Sequence, residues 1–364
     1  MNFTLLGQGI AVPVESIQRE EAAALAADKF CKTEKDRKIV NAMYKMTGVQ
    51  KRHSVLLTTQ DGRRNGPVWD PIMHDPRTED DPGPALSERM RIYEERATPL
   101  AVEASRNALE RAEVSPSEIT HVVTVTCSGF FAPGIDVRLI QELGLPATTE
   151  RAQVGFMGCQ GSMNGLRVAR GFAAANPNAR VLLCSVELCS IHYAYGFHPE
   201  RIVANALFAD GAAAVVGGIA EQSGGWRVKD SGACLVPDSD DAMSWRIRDN
   251  GFEIGLSPSV PGLIEKHLKP WVDSWLLDNG MTMDDVKTWA VHPGGPRILG
   301  SVVSALGLPK DALSVSKSIL QEYGNMSSPT ILFILDRLRE QKAELPCVAL
   351  AFGPGLMVEG VIFE

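Results

Sequence analysis

The stretch Val154-Gly155-Phe156-Met157-Gly158-Cys159-Gln160-Gly161-Ser162-Met163-Asn164-Gly165-Leu166-Arg167-Val168-Ala169 decides the fold. A short apolar run reaches Gly158, presents Cys159, and passes into small residues followed by apolar positions at Met163, Leu166 and Ala169. That spacing predicts a strand, a tight turn and a helix. Cys159 then stands at a helix start, where free backbone N–H groups and the positive end of the helix dipole favour a thiolate. Glycines on both sides let another molecule approach the sulfur. These features describe a reactive thiol, although a buried structural cysteine accounts for the segment equally well.

The flanking sequence repeats the same grammar. His121 to Cys127 and Val181 to Val186 are nearly continuous apolar, β-branched runs, as strands buried on both faces should be. Asp136 to Leu143 and the residues after Cys159 read as helices between them, and Leu207 to Gly217 gives a turn and a further strand. Upstream, residues 14–57 read as mostly helical, residues 58–86 as a long Gly- and Pro-rich loop, and Ser87 to Ala112 as a helix carrying Pro99. Ser115-Pro116-Ser117-Glu118 is a helix-start signal. Alternating strands and helices predict an α/β fold with a largely parallel sheet.

The second half of the chain resembles the first. Leu143-Gly144-Leu145-Pro146 recurs as Leu306-Gly307-Leu308-Pro309, each after a strand, a polar turn and a helix. Thirteen residues separate Pro146 from Cys159 and 16 separate Pro309 from Asn325; 22 separate Cys159 from Val181 and 23 separate Asn325 from Val348. Two duplicated halves are implied, 1–221 and 222–364. Cys159 and Asn325 fall at equivalent strand-to-helix turns, and Cys127 and His292 at equivalent strand ends. Packed about a pseudo-twofold axis, those loops meet at one centre.

Composition narrows the function. A 364-residue chain with 45% hydrophobic and 22% charged residues can bury a substantial core. The net charge of -8 argues against a general nucleic-acid surface, leaving only local basic sites for anions. No apolar run approaches the roughly 18 residues of a membrane span, and Met1 to Gly7 lacks the pattern of a secretory leader, so a cytoplasmic location is expected. Seven scattered cysteines with no C-x-x-C pair predict reduced thiols, and Cys184, Cys189 and His192 do not have the spacing of a zinc site.

His292, followed by Pro293-Gly294-Gly295-Pro296, ends a buried strand, and Asn325 sits between Gly324 and the Ser327-Ser328-Pro329 helix start. Singly, each is an ordinary turn or cap residue. Together with Cys159, at related positions of a duplicated fold, they make a site. A thiol beside an imidazole can hold an acyl group as a thioester. An imidazole N–H and a carboxamide supply two donors for the enolate left when a malonyl group loses CO₂. Such carbon–carbon bond formation needs neither metal nor redox cofactor.

At this point the residues resemble a known family. Gly158-Cys159, Val291-His292-Pro293-Gly294-Gly295-Pro296-Arg297-Ile298-Leu299, Tyr323-Gly324-Asn325-Met326-Ser327-Ser328 and Phe352-Gly353-Pro354-Gly355 are together similar to the type III polyketide synthases, relatives of plant chalcone synthase. The resemblance implies a thiolase-like fold, two βαβαβ halves in a five-layered α-β-α-β-α core, and a homodimer. It implies that Cys159 is loaded by a starter acyl-CoA while His292 and Asn325 drive malonyl-CoA decarboxylation and condensation, with coenzyme A thioesters as substrates and no cofactor. Phe208 corresponds to the gatekeeper at the foot of the CoA tunnel. Ser327 falls in the substrate cavity, and Gly353-Pro354 in the loop that shapes it. Lys45, Lys51 and Arg52 are the nearest candidates for the CoA phosphates.

Departures from the chalcone-type pattern bear on substrate. Ile254 replaces a second active-site Phe, Ala132 replaces a Met that reaches across the dimer, and Cys127, Cys189 and His192 replace Thr-rich cavity positions. The opened, apolar cavity predicts a medium-to-long aliphatic starter and an alkylpyrone or alkylresorcinol product. Trp245 falls near that cavity and could block a tunnel. The alternatives are a chalcone- or stilbene-like synthase with an aromatic starter, a ketoacyl-ACP synthase of fatty-acid initiation, whose His-Gln-Ala-Asn loop is absent here, or an inactive acyl-CoA-binding homologue.

Overall fold

The computed structural model describes residues 3–58, 68–78, 80–220 and 225–364; the expected junction between the halves, 221/222, and part of the 58–86 loop lie outside the described residues. β1 (Phe3–Ala11) leads through β2 (Ser16–Gln18), α1 (Arg19–Phe30), α2 (Glu34–Met46) and β3 (Lys51–His53), then β4 (Leu57–Thr58) and β5 (Val68–Trp69), to the long α3 (Leu86–Ala112). There follow β6 (His121–Thr126), α4 (Ile135–Leu143), β7 (Glu150–Gly155), α5 (Gly161–Ala175), β8 (Arg180–Leu188), α6 (Pro199–Leu207) and β9 (Asp210–Ile219). The second half comprises β10 (Trp226–Leu235), a hairpin of β11 (Met243–Arg248) and β12 (Gly251–Leu256), and α7 (Val260–Asp278). It continues through β13 (Thr288–Val291), α8 (Pro296–Leu306), α9 (Ser314–Tyr323), α10 (Thr330–Glu340), β14 (Cys347–Gly353) and β15 (Met357–Phe363).

The duplication is visible in the sheet order β13-β14-β15-β10-β1-β9-β8-β6-β7. Outward from the antiparallel β1–β10 contact, β9, β8 and β6 on one side answer β15, β14 and β13 on the other. The repeated Leu-Gly-Leu-Pro is a repeated helix stop. Gly144 (φ 67) and Gly307 (φ 66) take the left-handed conformation, and the N–H groups of Leu145 and Leu308 each return to a helix carbonyl at 3.0 Å.

Side chains alternate across each central strand, and this builds the five-layered α-β-α-β-α thiolase-like core. Val123 and Val125 of β6 and Leu183 of β8 face inward, whereas Val122, Leu182 and Cys184 face out toward α3 and α4. In β14, Ala349 and Ala351 face inward while Val348, Leu350 and Phe352 meet α7 and α8. α5 and α10 fill the middle. The α10 run Ile331-Leu332-Phe333-Ile334-Leu335 is apolar all round because the helix is enclosed all round.

Four features depart from the sequence expectations. The sheet is mixed rather than largely parallel: β13–β14, β6–β7 and β6–β8 pair in parallel, whereas the five pairings from β14–β15 through β1 to β9–β8 are antiparallel, because the strands at the middle of the sheet are not joined to their neighbours by crossover connections. The 14–57 region is not continuously helical, because Ser16–Gln18 and Lys51–His53 pair as antiparallel strands bracketing α1 and α2. A helix, α9, rather than a strand precedes Asn325; its buried positions Ser316, Ile319 and Leu320 follow helical spacing. Residues 226–256 carry three strands for which the sequence reading had no expectation. No helix among the described residues is long and apolar enough to cross a membrane.

Candidate active site

Three chain reversals build the site. After β7 the backbone turns through Phe156 (φ 62) and Gly158 (φ 73) into a single 3-10 turn, Gly158–Gln160, that runs on into α5. A β-carbon on Gly158 would lie 2.5 Å from Pro354 Cδ, so glycine is required there both for its φ and for the close approach of the 353–355 loop. Gly353 packs on the same turn, where a β-carbon would meet the Gln160 carboxamide at 2.7 Å. The Cys159 turn is thus seated on the end of β14.

β13 runs parallel to β14 and delivers His292 to that same end, with the His292 N–H donating to Leu350 O at 2.8 Å. Asn325 is fixed by a one-residue bridge to Phe208. Its N–H donates to Leu207 O and its carbonyl accepts from the Ala209 N–H, both at 2.9 Å. The Asn325 Oδ1 accepts from the Ser327 N–H at 2.8 Å, which orients the carboxamide. Hydrogen bonds from the Ser327 and Asn325 side chains reach the Cys159 thiol.

Burial dominates the electrostatics. It pushes the Cys159 thiol up to about 11, against those hydrogen bonds, and His292 down to about 3. Burial of the thiol thus works against the preference for a thiolate that the helix start supplies. His292 is 1% exposed, and both of its ring nitrogens lack a hydrogen-bond partner among the described residues. Buried polar atoms are almost always satisfied, so two orphans on one ring mark an unoccupied role.

A cavity of about 700 Å³ opens onto the thiol. Cys127, Ser327 and Pro354 line it beside Cys159, and Phe208, Ile254, Cys189 and His192 line it farther along. Gly353 stands behind Pro354 rather than in the wall. Among the basic candidates Arg52 lines the cavity, but its Nη1 is spent on the carbonyls of Asn205 and Phe208; Lys45 is exposed, Lys51 half-buried, and neither lines the cavity.

Most of the wall's polar groups are spent on the protein itself. His192 Nε2 donates to Ser128 O at 2.6 Å and Nδ1 accepts from the Phe252 N–H at 3.0 Å, with the ring stacked 4.3 Å from Phe252. Trp245 Nε1 donates to Cys127 O at 2.8 Å. Ser190 Oγ donates to buried Asp210 at 2.5 Å, and the Asn205 carboxamide is closed on Ala194 at 2.8 and 2.9 Å.

Beneath the site lies Glu187, which the sequence reading passed over. Fully buried, it accepts from the N–H groups of Cys127 and Ser128, from the Cys127 thiol at 3.2 Å, and from the hydroxyls of Ser128 and Ser328 at 2.5 Å. The available signal was the lone acid in the interior of an apolar strand, Arg180–Leu188. No group of three or more His, Cys, Asp or Glu side chains among the described residues could hold a metal ion.

Two family models match the chain: chalcone and stilbene synthases, N-terminal domain, over residues 2–220, and the corresponding C-terminal domain over residues 228–364. The chain is 36% identical over 288 residues to the alpha-pyrone synthesis polyketide synthase-like Pks18 of Mycobacterium tuberculosis, covering 77% of this chain and 73% of that protein. It is 32% identical over 366 residues to the 1,3,6,8-tetrahydroxynaphthalene synthase of Streptomyces peucetius, covering 97% and 91%. The crystal structure of PKS-I from the brown alga Ectocarpus siliculosus superposes with a TM-score of 0.91 at 29% identity, covering 100% of this chain and 98% of that one. The C-terminal type III polyketide synthase domain of Steely1 from Dictyostelium gives 0.89 at 27%, covering 100% and 99%.

Proposed function

The chain belongs to the chalcone and stilbene synthase family and is a type III polyketide synthase catalysing decarboxylative condensation, and we propose that its starter is a medium-to-long aliphatic acyl-CoA. Residues 1–221 supply the nucleophile Cys159 and residues 222–364 supply His292 and Asn325. The Cys159 sulfur attacks the starter thioester carbonyl as its proton passes to His292, and coenzyme A leaves as the thiol. Malonyl-CoA then loses CO₂, and His292 Nε2–H and the Asn325 amide stabilise the enolate oxygen. The enolate carbon attacks the Cys159 thioester, forming the new carbon–carbon bond and releasing the cysteine sulfur. The observation that supports this assignment is the pair of unpartnered nitrogens on buried His292.

The aliphatic starter is supported by the wall. With His192, Trp245, Ser190 and Asn205 already paired within the protein, few donors are left to read a phenolic hydroxyl, and an unsubstituted chain leaves no polar group unmatched. Cyclisation of the extended chain gives an alkylpyrone or alkylresorcinol. The enzyme acts as a homodimer in the cytoplasm, without a cofactor. Mass spectrometry of products from malonyl-CoA with hexanoyl-, decanoyl-, tetradecanoyl- and coumaroyl-CoA tests the reading. Alkyl products are expected, and turnover confined to coumaroyl-CoA overturns it.

A further inference from the structure

The β11–β12 hairpin spans the cavity lengthwise. Met243 lies by the 353–355 loop, where its carbonyl accepts from the Gly355 N–H at 3.2 Å, and Trp245 sits over Cys127. The tip, Arg248 to Gly251, is five strand residues from Met243, about 17 Å on at roughly 3.3 Å per residue. There the cavity is collared by irregular backbone from three segments: Pro82 of the surface loop, Tyr193 to Tyr195, and Asn250-Gly251 of the tip.

Irregular backbone has no ladder to absorb its carbonyls, and one side chain collects them. Arg89 of α3, 2% exposed, donates from Nε to Pro84 O at 3.0 Å and from Nη1 to Ile191 O and, at 3.2 Å, to Tyr193 O. The hairpin tip rests on the same guanidinium. Gly251 (φ 133) has no β-carbon, and one built there would stand 3.3 Å from Arg89 Nε. The tip is also tied to the start of α3, the Leu86 N–H donating to Asp249 O at 2.9 Å. Among the described residues Arg89 forms no ion pair, so this buried cation is held by carbonyl dipoles alone. Burying a charge without a counter-ion is costly, and a planar fork serving two segments is something that an apolar side chain cannot replace.

Building on the aliphatic-starter reading, we propose that Arg89 is a specificity-determining positioning residue: it draws the 82–85, 191–195 and 249–251 segments together and so sets the width of the cavity at the hairpin tip and the length of chain the enzyme accepts. Without the fork the carbonyls of Pro84, Ile191 and Tyr193 lose their shared donor, and the collar relaxes outward.

The test is competition. Hexanoyl-CoA and tetradecanoyl-CoA are mixed with malonyl-CoA, and the ratio of long to short products is read by mass spectrometry for wild type, Arg89→Lys, Arg89→Met and Gly251→Ala. A ratio within one sample does not depend on how much of the protein is folded. The ratio should rise in the order wild type, Lys, Met, by on the order of tenfold for Met, the worth of about two further buried methylenes. Gly251→Ala, which wedges the tip off the guanidinium from the other side, should raise it too, and it decides the question if Arg89→Met does not fold. In the Arg89 variants hexanoyl-CoA kcat should stay within about threefold. A ratio that stays at the wild-type value in Arg89→Lys and Gly251→Ala while total turnover falls means that the fork is only structural, and overturns the inference. Absence of polyketide from the wild type with either starter overturns the reading of the site, and this inference with it.

Discussion

Replacing Glu187 with alanine gives the sharpest measure of what holds the site in place. The two carboxylate oxygens share the Cys127 N–H at 3.0 Å each, and Oε2 also accepts from the Ser128 N–H at 2.9 Å. In Glu187→Ala both N–H groups, on residues 5% and 0% exposed, lose their acceptor. Each orphaned donor costs about 1–3 kcal/mol. The Ser328 hydroxyl can turn to Ser185 Oγ at 2.7 Å and adds little. Removing a carboxylate that burial already disfavours returns part of the cost. The net expectation is a loss of about 2–5 kcal/mol. Glu187→Gln keeps one oxygen for Ser128 and Cys127 and should lose only about 1–2 kcal/mol by the same count. Urea unfolding followed by tryptophan fluorescence, with the slope unchanged, reads both values. An alanine variant within about 1 kcal/mol of wild type, or a glutamine variant no more stable than the alanine one, would refute the reasoning.

Cys159→Ala should abolish polyketide formation yet still decarboxylate malonyl-CoA, whereas Asn325→Ala should impair decarboxylation; loss of both activities in the first variant would contradict the division of labour. Gly129→Ala would drive a β-carbon into the Tyr93 ring, whose hydroxyl donates to Thr126 Oγ1 at 2.7 Å at the end of β6. It should lower the melting temperature and activity together, and an unchanged melting curve would count against the packing described. Burial holds His192 and His292 near 3 in the folded state against about 6.5 unfolded, so the unfolded chain binds more protons between those values. Stability should therefore fall as pH drops below about 6.5, only partly opposed by Asp210, which burial raises to about 6. His192→Gln should flatten the decline measured by urea unfolding between pH 7.5 and 5, and parallel curves would sink the assignment.

The duplicated core was readable because its devices are local. A glycine stop after α4 and α8, unbroken apolar strands and a glycine-framed cysteine each leave a mark within a few residues. The strand expected before Asn325 was misread because the repeat predicts equivalence of position, and α9 fills that position by its own helical spacing. Glu187 and Arg89 escaped notice because their partners lie far along the chain, where single-residue character says nothing of burial. The burial that raises the Cys159 thiol was equally out of sight, since a helix start is visible in sequence and the depth of a pocket is not.

Among the described residues, the seam between β1 and β10 runs through three residue pairs, from Phe3 opposite Val228 to Leu5 opposite Trp226. The two repeats also share the core that α5 and α10 fill, and these helices follow the turns bearing the sulfur and the amide. Severing the polypeptide between the repeats would leave each fragment with one naked flank and an incomplete set of reactive groups. Turnover in a mixture of the two fragments would then report their reassociation directly, with no separate probe of assembly.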